Sequence, residues 1–294
     1  MILNSDCKYE DIRNFFLENE KGQQIDFQNI SGKIFLYNVT GLGFSKRMEY
    51  NRVGTAFVKN KDELDQGVIG GELEFYDNSY DEYKNFVDFV LQAKSLKLIY
   101  IPKTSKKTKF YREVDVTQVD KREEDDYNIL PIPITFHCKS LWYEENNFVY
   151  TVEEIEDELR WDFEWDSRFT DYENRSVLFN NNGHVEAPML LEMTGYILNP
   201  KVSVYVDDEL VNELSVETTI DINEKFVFST KDNDCKIYKL LPNGTIVNLV
   251  DSLTLSNNNS NFFKLPIGYS TIRLSAENEI LNSKLTIYKE YIAV

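Results

Sequence analysis

Gly70-Gly71-Glu72-Leu73-Glu74-Phe75 opens, and Phe136-His137-Cys138-Lys139-Ser140-Leu141-Trp142-Tyr143 closes, the stretch whose reading decides the fold. Leu73 and Phe75 alternate with Glu72, Glu74 and Tyr76, the period of two that marks a half-buried strand. A helix follows. Ser79 and Glu82 have the spacing of a capping box, in which the hydroxyl takes one orphan amide and the glutamate reaches back to the cap amide. Tyr80, Tyr83, Phe86, Val87, Val90 and Leu91 then recur at steps of three and four, an apolar stripe on a helix of about four turns that Lys94 and Ser95 end. Leu96, Leu98 and Tyr100 begin a second alternating run, Pro102 stops it, and the basic segment 104–109 forms a solvated tip. Two more strands, Phe110 to Val119 and Tyr127 to Cys138, flank an acidic turn. Pro131 and Pro133 cannot donate to a ladder, so the last strand is expected at an edge or with a bulge.

Outward from this stretch the chain changes character. The segment 151–160 is too acidic for a core and reads as a linker, after which Trp161, Phe163 and Trp165 alternate with acidic residues as a strand would. Beyond Ser176 the pattern is all-β. Val177 to Phe179 leads into Asn180-Asn181-Asn182-Gly183, a hairpin signal because Asn and Gly tolerate positive φ. Nine short strands follow, at 189–193, 201–206, 218–222, 225–229, 235–240, 245–249, 261–265, 270–275 and 284–288, separated by turn residues such as Asp207-Asp208 and Pro242-Asn243-Gly244. Such spacing predicts a β-sandwich or jelly roll.

Composition narrows the function classes. A length of 294 residues suffices for two domains with separate cores, and the 18 Tyr and 19 Phe favour sheets and interfaces over disorder. Net charge is −18, shared unevenly: 20 basic against 25 acidic residues over 1–148, but 12 against 25 over 149–294. That step supports a boundary near Asn147, and so acidic a second half disfavours stable nucleic-acid binding. No run is apolar enough to insert in a membrane, and residues 1–25 show no hydrophobic signal region. Cys7, Cys138 and Cys235 stand far apart and are expected as buried thiols in a protein made in a reducing cytoplasm.

A search for chemistry comes out nearly empty. His137 in a strand and His184 in a turn have no Cys or second His at ligand spacing. There is no nucleophile elbow or phosphate loop, and Gly41-Leu42-Gly43 lacks the third glycine of a dinucleotide fingerprint. Asp232-Asn233-Asp234 lacks the glycine and distal glutamate of a calcium loop. No enzyme, cofactor or metal is expected.

The Gly41-Leu42-Gly43 turn, the Gly70 to Phe75 strand, the Tyr80/Tyr83/Phe86 helix, the Leu98-Ile99-Tyr100 strand and the closing Phe136 to Tyr143 together resemble the N-terminal domain of phage distal tail (Dit) proteins. Asn182-Gly183, Ala187-Pro188, Leu191 to Gly195 and Asn199-Pro200 extend the likeness more weakly to the C-terminus. The resemblance implies a mainly β protein, with an N-terminal sheet domain carrying one α-helix over 1–148 and a galectin-like β-sandwich over 149–294. It further implies a hexameric ring at the virion tail tip of a long, non-contractile tail. That ring would be a homo-oligomer joining the tail tube protein to a tail-associated protein and to receptor-binding or baseplate proteins. The His and Trp constellations of sugar-binding galectins are absent, so sugar binding does not follow from the fold.

Two sets of residues stand out against that background. Phe57, Val58, Val68 and Ile69 are apolar residues among Arg52, Lys59, Lys61 and the glycines Gly67, Gly70 and Gly71, and are candidates for ring contacts. Trp161 and Trp165 would be the stacking platform of the alternative reading, a carbohydrate-binding adsorption module of a baseplate; the plainer reading packs both against a facing sheet. Limited proteolysis is expected to cut first within 148–160 and leave two compact fragments on a denaturing gel. A first cut inside 70–143 would contradict the division.

Overall fold

The computed structural model describes residues 13–28, 33–76, 78–103, 108–125, 127–151, 175–254, 262–278 and 282–294. The chain divides into two compact units, Met1–Glu144 with Tyr291–Val294, and Glu145–Glu290. The charge step had suggested 148 and a second domain running to the end; here the crossings fall at 144/145 and 290/291. Among the described residues no helix is long and apolar enough to cross a membrane.

The first unit contains β1 (Asn14–Asn19), β2 (Gln24–Asp26), β3 (Ile34–Thr40), β4 (Lys46–Val53), β5 (Ala56–Leu64), β6 (Val68–Phe75), α1 (Ser79–Gln92), β7 (Leu96–Ile101), β8 (Phe110–Val119), β9 (Leu130–Cys138) and the start of β10 (Trp142–Thr151). All but β4 and β5 join one antiparallel path, β3-β6-β9-β8-β7-β1-β2, with β10 touching β8 at Tyr143↔Tyr111. The ends of that path meet, because Leu36 N donates to Phe27 O just past β2 at 2.9 Å. Phe15, Leu17, Leu36, Leu73, Phe75 and Phe136 fill the enclosed space, each at or near zero exposure. The helix closes it. Phe86 inserts between Phe75 and Phe27, with ring centroids 5.9 and 6.2 Å away.

Several sequence expectations resolve differently. Asn78, in the left-handed region at φ 55°, is the cap residue and makes no side-chain cap bond. Ser79 is already helical and donates to Glu124, while Glu82 pairs with Lys33 at 2.6 Å, so the capping box does not form. At the other end Glu20 accepts from the Lys94 amide at 2.9 Å, an acid-capped exit that local spacing does not reveal. β9 is not an edge strand: β6 flanks all but its last residue and β8 flanks 134–138. The prolines pair with Glu74 and Glu72 of β6 and precede the 134–138 span in register with β8, where Pro133 O only accepts, from Asp120 N at 3.2 Å; the register shifts between Val116 and Gln118 of β8. The missing donors therefore cost no ladder bond. Cys138 is buried as expected, whereas Cys235 is exposed; Cys7 lies outside the described residues.

The second unit is a two-sheet sandwich. One sheet runs β11-β21-β14-β15-β20, from β11 (Arg175–Asn181), β14 (Lys201–Val206), β15 (Glu209–Val216), β20 (Leu253–Thr254) and β21 (Gly268–Ser275). The other includes β12 (Met189–Thr194), β17 (Lys225–Ser229), β18 (Lys236–Leu240), β19 (Ile246–Asn248) and β22 (Asn282–Tyr291), in the order β19-β18-β17-β12-β22. A short pair, β13 (Ile197–Leu198) with β16 (Thr219–Ile220), lies beside them. Phe179, Val204, Leu214 and Ile272 of the first sheet meet Met189, Leu191, Phe228 and Ile287 of the second in one core.

The Asn182-Gly183 signal does not make a hairpin. β11 pairs with β21 and β12 pairs with β17 and β22, so the turn crosses between sheets. Asn181 organises it, accepting from Gly183 N at 3.0 Å and donating to Val185 O at 3.0 Å. Gly183 is required by space, since a Cβ there would lie 2.6 Å from Glu290 O. The strand expected at 261–265 reduces, among described residues, to a single bridge between Leu265 and Ala187.

Gly41 gives the first unit its most specific backbone requirement. It holds φ 82°, in the bulge where β3 leaves β6, and a Cβ would collide with Val68 O. Gly41→Ala combines left-handed strain with an immovable clash and should lower unfolding free energy by about 2–4 kcal/mol. Denaturant titration measures this; an unchanged midpoint would refute the constraint.

Candidate assembly surface

β4 and β5 leave the body of the first unit as a two-stranded sheet of their own. Val53↔Ala56 is the last pair, and Gly54, at φ 65°, turns the chain. Of the 17 residues in these strands, only Lys61 is even half-buried. A lone hairpin is marginal in water, so this one lacks the packing that normally holds such an element.

Its side chains nevertheless include Met48, Tyr50, Val53, Phe57, Val58 and Leu64, all exposed, with Phe44 beside the root. Phe57 is 70% and Val58 54% exposed, on opposite faces because they are adjacent in a strand. Charges frame these residues. Asp62 accepts from Lys59 at 2.6 Å and pairs with Lys46 at 3.2 Å, and these bonds hold its carboxyl below the ordinary aspartate range. The same contact raises Lys59. Arg47 reaches Asp65 at 3.5 Å and Lys61 reaches Glu63 at 2.9 Å. Exposed pairs of this kind contribute little stability, so they orient the hairpin rather than hold it.

Of the four interface candidates, the structure brings three to the surface. Phe57 and Val58 lie near the hairpin tip, and Val68, 43% exposed, begins β6 at its root. Ile69 is a correction: it faces inward at 0% exposure within the core, because successive strand residues point to opposite sides. Sequence reading did not find the hairpin itself, nor Met48, Tyr50 and Val53. Trp161 and Trp165 lie outside the described residues. His137 sits within β9 opposite Asp115 and Val68, and His184 N donates to Glu290 O at 2.8 Å.

The two kinds of position predict opposite outcomes. Phe57→Asp should change the monomer's stability by no more than about 0.5 kcal/mol, whereas Ile69→Asp buries an unpaired carboxylate and should cost more than about 4 kcal/mol. Thermal melts of both variants distinguish them; a large loss for Phe57→Asp would show that the hairpin packs on its own chain.

Residues 14–139 match the family described as "Distal tail protein, N-terminal domain". No curated protein sequence matches. Among solved structures, a chain of the phage P2 baseplate in its activated conformation with Ca is similar over 96% of this chain and 100% of its own, at 15% identity and a TM-score of 0.62. The same baseplate with Sr gives the same values. The SPP1 Dit (gp 19.1) protein, whose structure is described as a paradigm of hub adsorption apparatus in phages infecting Gram-positive hosts, covers 94% of this chain and 98% of its own, at 12% identity and a TM-score of 0.57.

Proposed function

Because the chain belongs to the distal tail protein family, we propose that it is a structural hub of a phage tail tip, closing with further copies into a hexameric ring. The observation that carries this reading is the β4–β5 hairpin, which exposes Phe57, Val58, Tyr50 and Met48 on an element with no core of its own. At about 25 cal/mol per Å², such apolar area favours a neighbouring subunit over water. A ring uses heterologous contacts, one patch against a different patch on the next copy, so one hairpin per subunit serves every joint.

In this reading the first unit makes the ring between the tail tube protein and a tail-associated protein of a long, non-contractile tail. The second unit, a galectin-like sandwich, offers loops and edges to receptor-binding or baseplate proteins. The role is one of assembly rather than catalysis, in keeping with the absence of a nucleophile or metal motif from the sequence.

Negative-stain images and native mass spectrometry of the purified protein test it. Six-fold rings are expected from the wild type, and folded monomers from Phe57→Asp combined with Val58→Asp. Wild-type protein that stays monomeric at high concentration would overturn the ring. Rings that persist in the double variant would move the interface off the hairpin.

A further inference from the structure

Asn182-Gly183 and Asn243-Gly244 are the two Asn-Gly pairs of the chain, and the fold treats them differently. Glycine has no side chain to screen its own amide, so in this dipeptide the glycine nitrogen reaches the asparagine side-chain carbon more readily than any other following residue would. At 182–183 the fold blocks that approach. Gly183 N donates to Asn181 Oδ1 at 3.0 Å, and Asn181, wholly buried, is fixed in turn by bonds to Val185 O at 3.0 Å and Leu265 O at 3.3 Å. The glycine is also wedged against the last strand: a Cβ on it would meet Glu290 O at 2.6 Å and Glu290 N at 3.3 Å, and the next amide, His184 N, donates to Glu290 O at 2.8 Å. Rotating the Asn182-Gly183 peptide would disturb all of these contacts at once.

At 243–244 nothing comparable stands in the way. Pro242, Asn243 and Gly244 are all exposed at the tip between β18 and β19, and a Cβ on Gly244 would meet nothing within 4 Å. The turn is clasped by two bonds, Gly244 N to Leu241 O and Leu241 N to Thr245 O, each 2.9 Å. Exposed bonds of this kind open at little cost, because water replaces them. Asn243 Oδ1 accepts from Thr245 N at 2.9 Å, a bond that draws electron density from the side-chain carbonyl carbon and holds it beside the following peptide.

We propose that Asn243 is a site of spontaneous covalent modification, losing its side-chain amide to attack by the Gly244 nitrogen and thereby loosening β19. The deprotonated Gly244 N forms a bond to Asn243 Cγ, the Cγ–Nδ2 bond breaks, and ammonia leaves with a proton taken from water. The succinimide that results takes up one water. Opening at Cγ gives aspartate, and opening at the backbone carbonyl carbon gives isoaspartate; nothing is oxidised or reduced, and asparagine plus water becomes an acid plus ammonia. Isoaspartate carries the main chain through Cβ and Cγ, which adds one carbon between 243 and 244. The clasp from Leu241 to Thr245 is built for the shorter path, and β19, only three residues long and paired among the described residues with β18 alone, begins directly after it. The site does not depend on the assembly reading, so either can fail alone.

Peptide mapping by mass spectrometry tests this on the full chain held for weeks in mildly alkaline buffer, with isoaspartate identified by methyltransferase labelling. A parallel sample in urea supplies the rates of both Asn-Gly pairs without the fold. In the folded chain Asn243 is expected to convert tenfold or more faster than Asn182, whereas in urea the two should agree within threefold. Asn243→Gln, whose longer side chain disfavours the five-membered ring, should show no product at 243 and an unchanged level at 182. Amide hydrogen exchange over 245–248 should be tenfold or more faster in aged than in fresh protein, and unchanged in Asn243→Asp, which adds the charge without the extra carbon. Equal conversion at both asparagines in the folded chain, or an intact Asn243 under conditions in which the unfolded chain reacts, would overturn the proposal. So would β19 exchange that ageing leaves unaltered or that Asn243→Asp reproduces in full.

Discussion

The first unit depends on one aromatic wedge. Phe86, the only wholly buried aromatic of α1, sits between Phe75 at the end of β6 and Phe27 just past β2. Phe75 belongs to β6, next to one end of the sheet path, and Phe27 follows β2 at the other end, so a single helical side chain ties the two ends of the path together. Tyr83 adds an edge contact to Phe75 at 5.9 Å. Truncating such a side chain typically costs 3–5 kcal/mol, a large share of a domain's stability. The hairpin inherits its footing from this wedge, because β5 passes directly into β6 through 65–67.

Where period and burial coincide, the sequence was readable. The run Phe110 to Val119 and the strands 201–206 and 225–229 appear at the expected bounds, because each has an inward face of β-branched or aromatic residues. Unit by unit, the helix and the sandwich were legible for the same reason. The hairpin was not: strands with both faces in water carry no alternation, so Lys46–Val53 and Ala56–Leu64 gave no periodic signal. The apolar surplus at Phe57 and Val58 did mark the region, without showing its shape. Glu209–Val216 carried no clean alternation because the register shifts opposite Val204/Tyr205, so Val211 packs on the core while Leu210, in sequence step with Leu214 and Val216, is exposed.

Local motifs misled where distant partners outbid them. Ser79 has a cap-like sequence context, but its hydroxyl is taken by Glu124, 45 residues away. Asn182-Gly183 looks like a hairpin turn, yet Asn181 holds the chain to Val185 and Leu265 while the strands on either side join different sheets. Charge had the same limit. It marked the acidic second half, but it could not indicate that the Arg273 guanidinium would lie over the Tyr205 ring, 4.9 Å from its centroid.

Tyr291 gives the two-unit division a further meaning. Its hydroxyl donates to Glu144 at 3.2 Å and its ring meets Phe110 edge-on at 5.3 Å, so the last residue before the second unit and the first after it are bonded neighbours. The second unit is thus an insertion whose entry and exit share one doorway. Closing a loop between adjacent points costs little that depends on loop length, about 0.6 kcal/mol for each doubling. Evolution, or an engineer, can therefore exchange the whole inserted module at that doorway for one of another size while the fold that frames it stays as it is.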